Sequence, residues 1–172
     1  NSAGIDSFAA GGPFNAVRVG LLQFGVPPHK SSLLAQLQPS PVLSFHTRVG
    51  LVKNLPKGTG VSYGRTRILE KDTRIAVLTA GYGDGIPTAA SNKAQVLIRG
   101  KRCPVLGRVT MDQMIVDSSA LEKIEVGDVA TLIGSQGDQT IDVSEFSKCC
   151  GAISWESFCA ITSRVPRIYK TA

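Results

Sequence analysis

The stretch Ala94-Gln95-Val96-Leu97-Ile98-Arg99-Gly100-Lys101-Arg102-Cys103-Pro104-Val105-Leu106-Gly107-Arg108-Val109 decides the fold class. Two apolar runs, residues 94–99 and 102–109, face each other across Gly100-Lys101. A two-residue glycine-containing connection between such runs is a β-hairpin signal. The pattern extends on both sides. Residues 42–53 read as one long strand, with Gly50 placed to form a bulge. Residues 74–80 read as a short buried strand, and residues 113–117 and 129–133 as further strands. Gly127-Asp128 and residues 134–138 supply turns. Strands at this spacing predict a mainly β fold, a compact β-barrel or sandwich.

Two short helices close the chain. Asp142 caps the first, with Glu145 three residues on as a capping box. Val143, Phe146 and Cys149/Cys150 share its buried face. Ser154 is the expected cap of the second, with Trp155, Phe158, Cys159 and Thr162 as its buried stripe. Gly151 separates the two as the residue that ends the first helix.

The other end of the chain has a different character. Residues 1–6 are mostly small or polar, a strand end or short helix, and Gly11-Gly12-Pro13 breaks the chain after residues 7–10. Residues 16–25 are largely apolar on both faces and close on Gly25. Such a run reads as a fully buried strand of a parallel sheet or α/β barrel. Arg18 inside it needs a partner or a ligand, and Gly20 lets a backbone N–H come close to a phosphate. Pro27-Pro28 is a stiff break, and residues 31–37 can form one or two helical turns before Pro39. The division between the two parts falls in this region, giving residues 1–27 and 28–172.

Bulk properties narrow the function. A chain of 172 residues with 42% hydrophobic content can bury a sizeable core. The net charge of +6 is spread out, and aromatics make up only 6%. Nucleic-acid binding needs a basic stripe with interleaved aromatics, so that class is set aside. A mild positive field suits small anions such as phosphates and carboxylates. Cys103, Cys149, Cys150 and Cys159 show no CxxC spacing, and the only histidines, His29 and His46, are far apart. No metal site is expected, and unpaired thiols suit a cytoplasmic setting. No apolar run reaches the length of a membrane span, and no signal peptide is apparent.

Four stretches carry more than structure demands. Val61-Ser62-Tyr63-Gly64-Arg65-Thr66 sets a tyrosine among small neighbours after a Gly/Lys/Pro-rich approach. Tyr63 is either a phenol packing a strand end or a reachable acid/base. Gly81-Tyr82-Gly83-Asp84-Gly85 is either a plain tight turn or a loop presenting Tyr82. It is no phosphate loop, because GxxxxGK[ST] is missing. Gly107-Arg108-Val109-Thr110-Met111-Asp112-Gln113 is either a bulge with a core methionine or a source of backbone donors for a carboxylate. Arg164 and Arg167 follow the last helix, where cations are favourable.

In this order and spacing, these stretches resemble the C-terminal part of bacterial alanine racemase, a pyridoxal-phosphate enzyme. Asn1-Ser2, Val17-Arg18-Val19-Gly20 and Arg164-Val165-Pro166-Arg167-Ile168-Tyr169 complete the resemblance, which runs along nearly the whole chain. It implies that residues 1–27 end an α/β (TIM-type) barrel that holds the cofactor. It implies that residues 28–172 form a β domain completing the partner's site in a homodimer. It further implies interconversion of L- and D-alanine through a pyridoxal phosphate aldimine, supplying D-alanine for peptidoglycan. Two acid/bases on opposite faces then move the Cα proton.

By resemblance, Tyr63 is one acid/base and Arg18 bonds the cofactor ring nitrogen. Ser2, Gly20, Leu21 and Ser163 lie at phosphate-binding positions, Met111 offers its backbone to the substrate carboxylate, and Tyr82 lines the entrance. The sequence departs from the family twice. The lysine-alanine-asparagine-type motif that carries the second acid/base is missing, so the isolated chain is expected to be inactive. Ser163 stands where the family often has a tyrosine, which leaves room for a larger substrate such as serine. A serine or broader-specificity racemase, or a non-catalytic dimerisation module, are the alternatives.

Overall fold

The computed structural model describes residues 1–5, 13, 15–28, 31 and 33–170. They belong to two compact units, Asn1–Ser44 and Phe45–Ala172.

The second unit is the β domain. Its strands are β1 (Phe45–Leu55), β2 (Gly60–Val61), β3 (Arg67–Ile68), β4 (Thr73–Leu78), β5 (Gln95–Ile98), β6 (Lys101–Leu106), β7 (Met114–Asp117), β8 (Val129–Gln136) and β9 (Gln139–Ile141). The main sheet runs β1-β4-β7-β6-β5-β8-β9, with every neighbouring pair antiparallel. β8 also pairs with β1, so the sheet returns on itself. Closure leaves few open edges to attract another chain. β2 and β3 form a separate small ribbon.

β1 makes the closure work. Its first half pairs with β8, His46 opposite Thr131 and Arg48 opposite Val129. Its second half pairs with β4, Val52 opposite Ala76 and Leu55 opposite Thr73. The register shifts between Val49 and Leu51, which places the irregularity at Gly50 as expected. The chain bends there from one neighbour to the other.

The β5–β6 hairpin is present, but its loop lies one residue earlier than the sequence implies. Ile98 pairs with Lys101, leaving Arg99 and Gly100 as the loop. Both take left-handed φ, +49° and +72°, as the twist-matched two-residue turn requires. β9 was not foreseen: Gly137-Asp138 alone makes the turn, and the polar run around it goes on pairing with β8.

The core lies inside the closed sheet, with Val49, Ile75, Leu78, Val96, Met114, Val116 and Leu132 all buried. Residues 130–133 of β8 are buried on both faces, and α2 (Val143–Cys149) packs against that strand. Asp142 caps α2, its carboxylate accepting the Glu145 N–H at 2.7 Å. The Glu145 side chain does not complete a capping box, because it pairs with Arg102 instead.

α3 (Ser154–Ala160) departs further from expectation. Its cap is Ile153, whose N–H donates to the Glu156 carboxylate at 2.8 Å. Ser154 and Ser157 are its buried residues, and they meet Ser144 and Ser147 of α2 hydroxyl to hydroxyl. Trp155 and Cys159 are exposed. The two helices meet through small hydroxyl residues, so the apolar stripe read from the sequence is rotated outward. Burial pushes the Cys103 thiol up to about 11 and the Cys150 thiol to about 12. Neither is a nucleophile at neutral pH.

In the first unit, α1 (Ser2–Ile5) is followed by 3-10 turns at Leu21–Phe24 and Leu33–Leu37. The strand expected over residues 16–25 is not formed. Residues 15–20 carry no regular structure, and Val17, Arg18 and Val19 are exposed. A parallel strand needs neighbours to take its N–H and C=O groups, and none occurs among the described residues of this unit. Residues 7–10 and His29 lie outside the described residues.

Candidate active site

Tyr63 sits on a tight 3-10 turn, Tyr63–Arg65, and is 74% exposed. The turn is backbone-strained. Ser62 just before it has φ +60° and ψ −174°, and Arg65 has φ +47°. Non-glycine residues pay about 1–3 kcal/mol for such conformations, so something must hold them. One bond is internal, from the Arg65 N–H to the Ser62 carbonyl at 3.2 Å. The others reach outward. The Ser62 hydroxyl donates to the Arg108 carbonyl at 2.7 Å. The Asn92 amide nitrogen donates to the Thr66 hydroxyl at 3.1 Å.

Asn92 lies ahead of β5, and the Ser62 bond reaches the segment after β6. Gly107 has φ +73°, and a Cβ there would sit 2.6 Å from the Val61 carbonyl. Only glycine fits so close to the strand that leads into Tyr63. The Arg108 guanidinium lies beside the same turn, 3.7 Å from where a Cβ on Gly64 would be.

Further along, the same segment grips the second tyrosine loop. Tyr82 donates its N–H to the Thr110 carbonyl and Gly83 donates to the Met111 carbonyl, both at 2.9 Å. A Cβ on Gly81 would lie 2.1 Å from the Thr110 carbonyl, so the close approach excludes any side chain there. The Asp84 carboxylate accepts the Gly81 N–H at 2.9 Å. Tyr82 and Met111 are 45% and 50% exposed. Among the described residues the Met111 N–H makes no hydrogen bond. It is an open donor of the kind a carboxylate takes.

The segment after α3 joins this cluster. The Thr162 hydroxyl donates to the Gly83 carbonyl at 2.7 Å. Arg164 lies 3.4 Å from Asp84 and donates to Asp112 at 2.5 Å. Asp112, then Asp84, raise the Arg164 guanidinium above its usual value. Arg164 therefore joins three loops, a role that a cation placed after a helix did not reveal. Arg167 does fit the helix-end reading: it donates to the carbonyls of Ile161, Thr162 and Val165. Ser163, just before Arg164, is exposed.

The structure thus gathers Tyr63, Tyr82 and Met111 around residues 107–113. In the first unit it gathers Ser2, Gly20 and Leu21. The buried Ser2 hydroxyl accepts the Gly20 N–H at 2.9 Å, and Leu21 opens the 3-10 turn. Arg18 is exposed nearby in sequence. Beyond residue type, nothing in the sequence points to a role for the side chains of Asn92, Asp84 or Asp112. The one signal for Asn92 was its residue type, since asparagine tolerates the left-handed φ of +57° found there.

The alanine racemase C-terminal domain family matches residues 42–169. The chain is 41% identical over 170 residues to an alanine racemase of Halothermothrix orenii, covering 99% of this chain and 44% of that protein. It is 45% identical over 156 residues to one of Symbiobacterium thermophilum, covering 91% and 41%. The structure resembles alanine racemase of Bacillus anthracis with bound L-Ala-P, with TM-score 0.84 and 36% identity, over 95% of this chain and 42% of that one. It also resembles the Bartonella henselae enzyme with covalently bound pyridoxal phosphate, with TM-score 0.78 and 28% identity, over 86% and 39%. The chain spans less than half the length of these relatives.

Proposed function

Since this chain belongs to the alanine racemase family, we propose that it is the part of an alanine racemase that supplies one of two acid/bases. Residues 1–27 are then the end of the cofactor-holding barrel and residues 28–172 the β domain. The parent enzyme interconverts L- and D-alanine in the cytoplasm, as a homodimer, and so provides D-alanine for peptidoglycan. The observation that carries the reading is Tyr63, an exposed phenol on a braced turn beside the segment that bears Met111.

The residues present would supply part of a pyridoxal phosphate site, and the lysine motif that would complete it is not in this sequence. Ser2, Gly20 and Leu21 would hold its phosphate, with Ser163 at a further phosphate position, and Arg18 would bond its ring nitrogen. Bound there, the cofactor supplies an electron-withdrawing ring that acidifies the substrate Cα–H. An arginine at that position would donate a hydrogen bond to the ring nitrogen rather than protonate it, which would restrain side reactions. Tyr63 takes the Cα proton on one face in one direction and returns it in the other. The Arg108 guanidinium lies beside the same turn. The Met111 N–H holds the substrate carboxylate, and Tyr82 lines the way in.

The Tyr63→Phe variant of the full-length enzyme tests the reading. Racemisation should be crippled while cofactor absorbance is kept; unchanged turnover would sink the assignment. The 172-residue chain alone, mixed with pyridoxal phosphate, should show no racemisation, because the lysine motif is not in it. A second reading extends the substrate range to serine, on the strength of the small exposed residue at position 163. Equal serine-to-alanine rate ratios for the parent and its Ser163→Tyr variant would count against it.

A further inference from the structure

We propose that Asn92 is a positioning residue for the Tyr63 phenol, clamping the tyrosine's turn to the segment that carries Met111. The inference rests on the reading of Tyr63 as an acid/base and adds a residue to it.

Asn92 offers a donor and an acceptor on one planar amide, and both are engaged. Its nitrogen donates to the Thr66 hydroxyl at 3.1 Å, three residues after Tyr63. Its oxygen accepts the Gly107 N–H at 2.7 Å, four residues before Met111. One side chain therefore ties the turn bearing the acid/base to the start of the segment bearing the carboxylate donor. The residue type is required twice, once for the amide and once for its own φ of +57°.

Its neighbours share the task. Residues 107, 108 and 109 are each held by a different side chain. Asn92 takes the Gly107 N–H, Ser62 donates to the Arg108 carbonyl, and Ser91 accepts the Val109 N–H at 2.9 Å. The Ser91 hydroxyl is itself anchored on the Thr88 carbonyl at 2.5 Å. Two of these clamps, from Ser62 and Asn92, tie the turn to the segment, while Ser91 fixes the segment beside them, which goes beyond what closing a surface turn needs. The internal bond from Arg65 to Ser62 already closes it. What the clamps add is a fixed distance between two exposed groups that must meet one small substrate. Proton transfer demands hydrogen-bond reach, and a misplacement of about 1 Å can cost about 100-fold in rate.

The test uses the full-length enzyme and two variants. Asn92→Gly deletes both bonds and still permits the left-handed φ. Thr66→Val deletes the hydroxyl from the other side and keeps its shape. Each should lower kcat by about 10-fold or more, with KM for alanine nearly unchanged. The Cα-deuterium isotope effect should rise in the direction in which Tyr63 withdraws the proton, and not in the other. A role confined to folding would lower the active fraction and leave both isotope effects as they are.

Wild-type kcat in both variants overturns the inference. So does a fall in kcat that matches lost folded protein with isotope effects unchanged. If Asn92→Gly does not fold, Thr66→Val decides by the same measurements. Tyr63→Phe is run beside them. If it turns over normally, the reading of Tyr63 falls and the inference falls with it. If it is crippled while Asn92→Gly and Thr66→Val are normal, only the positioning role falls.

Discussion

Two loops of the β domain each present an exposed tyrosine from a 3-10 turn, and they are held by different means. The turn at Tyr82–Asp84 is gripped chiefly by main chain: its amides donate to the Thr110 and Met111 carbonyls, Gly81 lies where a Cβ cannot fit, and Thr162 and Arg164 add side-chain ties. The turn at Tyr63–Arg65 is gripped by side chains: Ser62 and Asn92 reach out from or into it. Main-chain clamping makes a loop tolerant of polar substitutions and intolerant of any added carbon at its close contact. Side-chain clamping makes a loop sensitive to loss of those polar groups, and it lets strained backbone persist at Tyr63, where φ of +60° precedes the phenol. Strain of this sort collects where function over-determines the geometry.

The contrast can be broken most sharply by removing the two phenols. Tyr63→Phe in the full-length enzyme should lower kcat by roughly 10²–10⁴-fold, the range for a lost general acid/base. Tyr82→Phe should cost far less, because the role proposed for Tyr82, lining the entrance, involves no moving proton. Similar losses in steady-state racemisation from both would erase the distinction between the loops.

The next effect is on stability. Gly81→Ala should destabilise the β domain by about 1–3 kcal/mol through overpacking against the Thr110 carbonyl. Urea denaturation would measure it. An unchanged midpoint would mean that the Tyr82 loop is not held by that close approach.

At the other loop, Ser62→Ala should cost about 1 kcal/mol by deleting the bond to the Arg108 carbonyl. Ser62→Gly deletes the same bond and relieves the strained φ, so it should lie closer to wild type by the same assay. If the glycine variant is the less stable of the two, strain at Ser62 is not part of the account.

The smallest effect belongs to the charges. Arg164, Asp84 and Asp112 join the loops at the surface, where ion pairs contribute little and salt screens them. Asp112→Asn should barely move Tm, and the small difference from wild type should vanish as salt is raised. A large, salt-independent loss would make this cluster a structural anchor comparable to the glycine contact.

Much of this was legible along the chain. Gly50 sits where β1 changes partners, because a bulge is a local event with a local sequence signal. The strands around residues 75–78, 95–98, 114–117 and 129–133 follow from apolar runs bounded by turn residues. Tyr63 and Met111 stand out through the order of their motifs. Errors came where the answer depended on a neighbour. Residues 16–25 have the composition of a buried strand, yet composition cannot supply the strands it would pair with. α3 has an apolar stripe, yet the hydroxyls of α2 drew Ser154 and Ser157 inward instead.

By itself, then, the sequence determined the β class, the positions of most strands, the cap of α2 and the family to which the chain belongs. These rest on period, turn chemistry and motif order, which neighbouring residues encode. Tertiary structure alone decided that β8 closes the sheet onto β1, that Arg164 joins Asp84 to Asp112, and that Asn92 holds the turn of Tyr63. Each of these joins residues distant along the chain, and such a pairing is settled only when the closed sheet brings both partners within bonding distance.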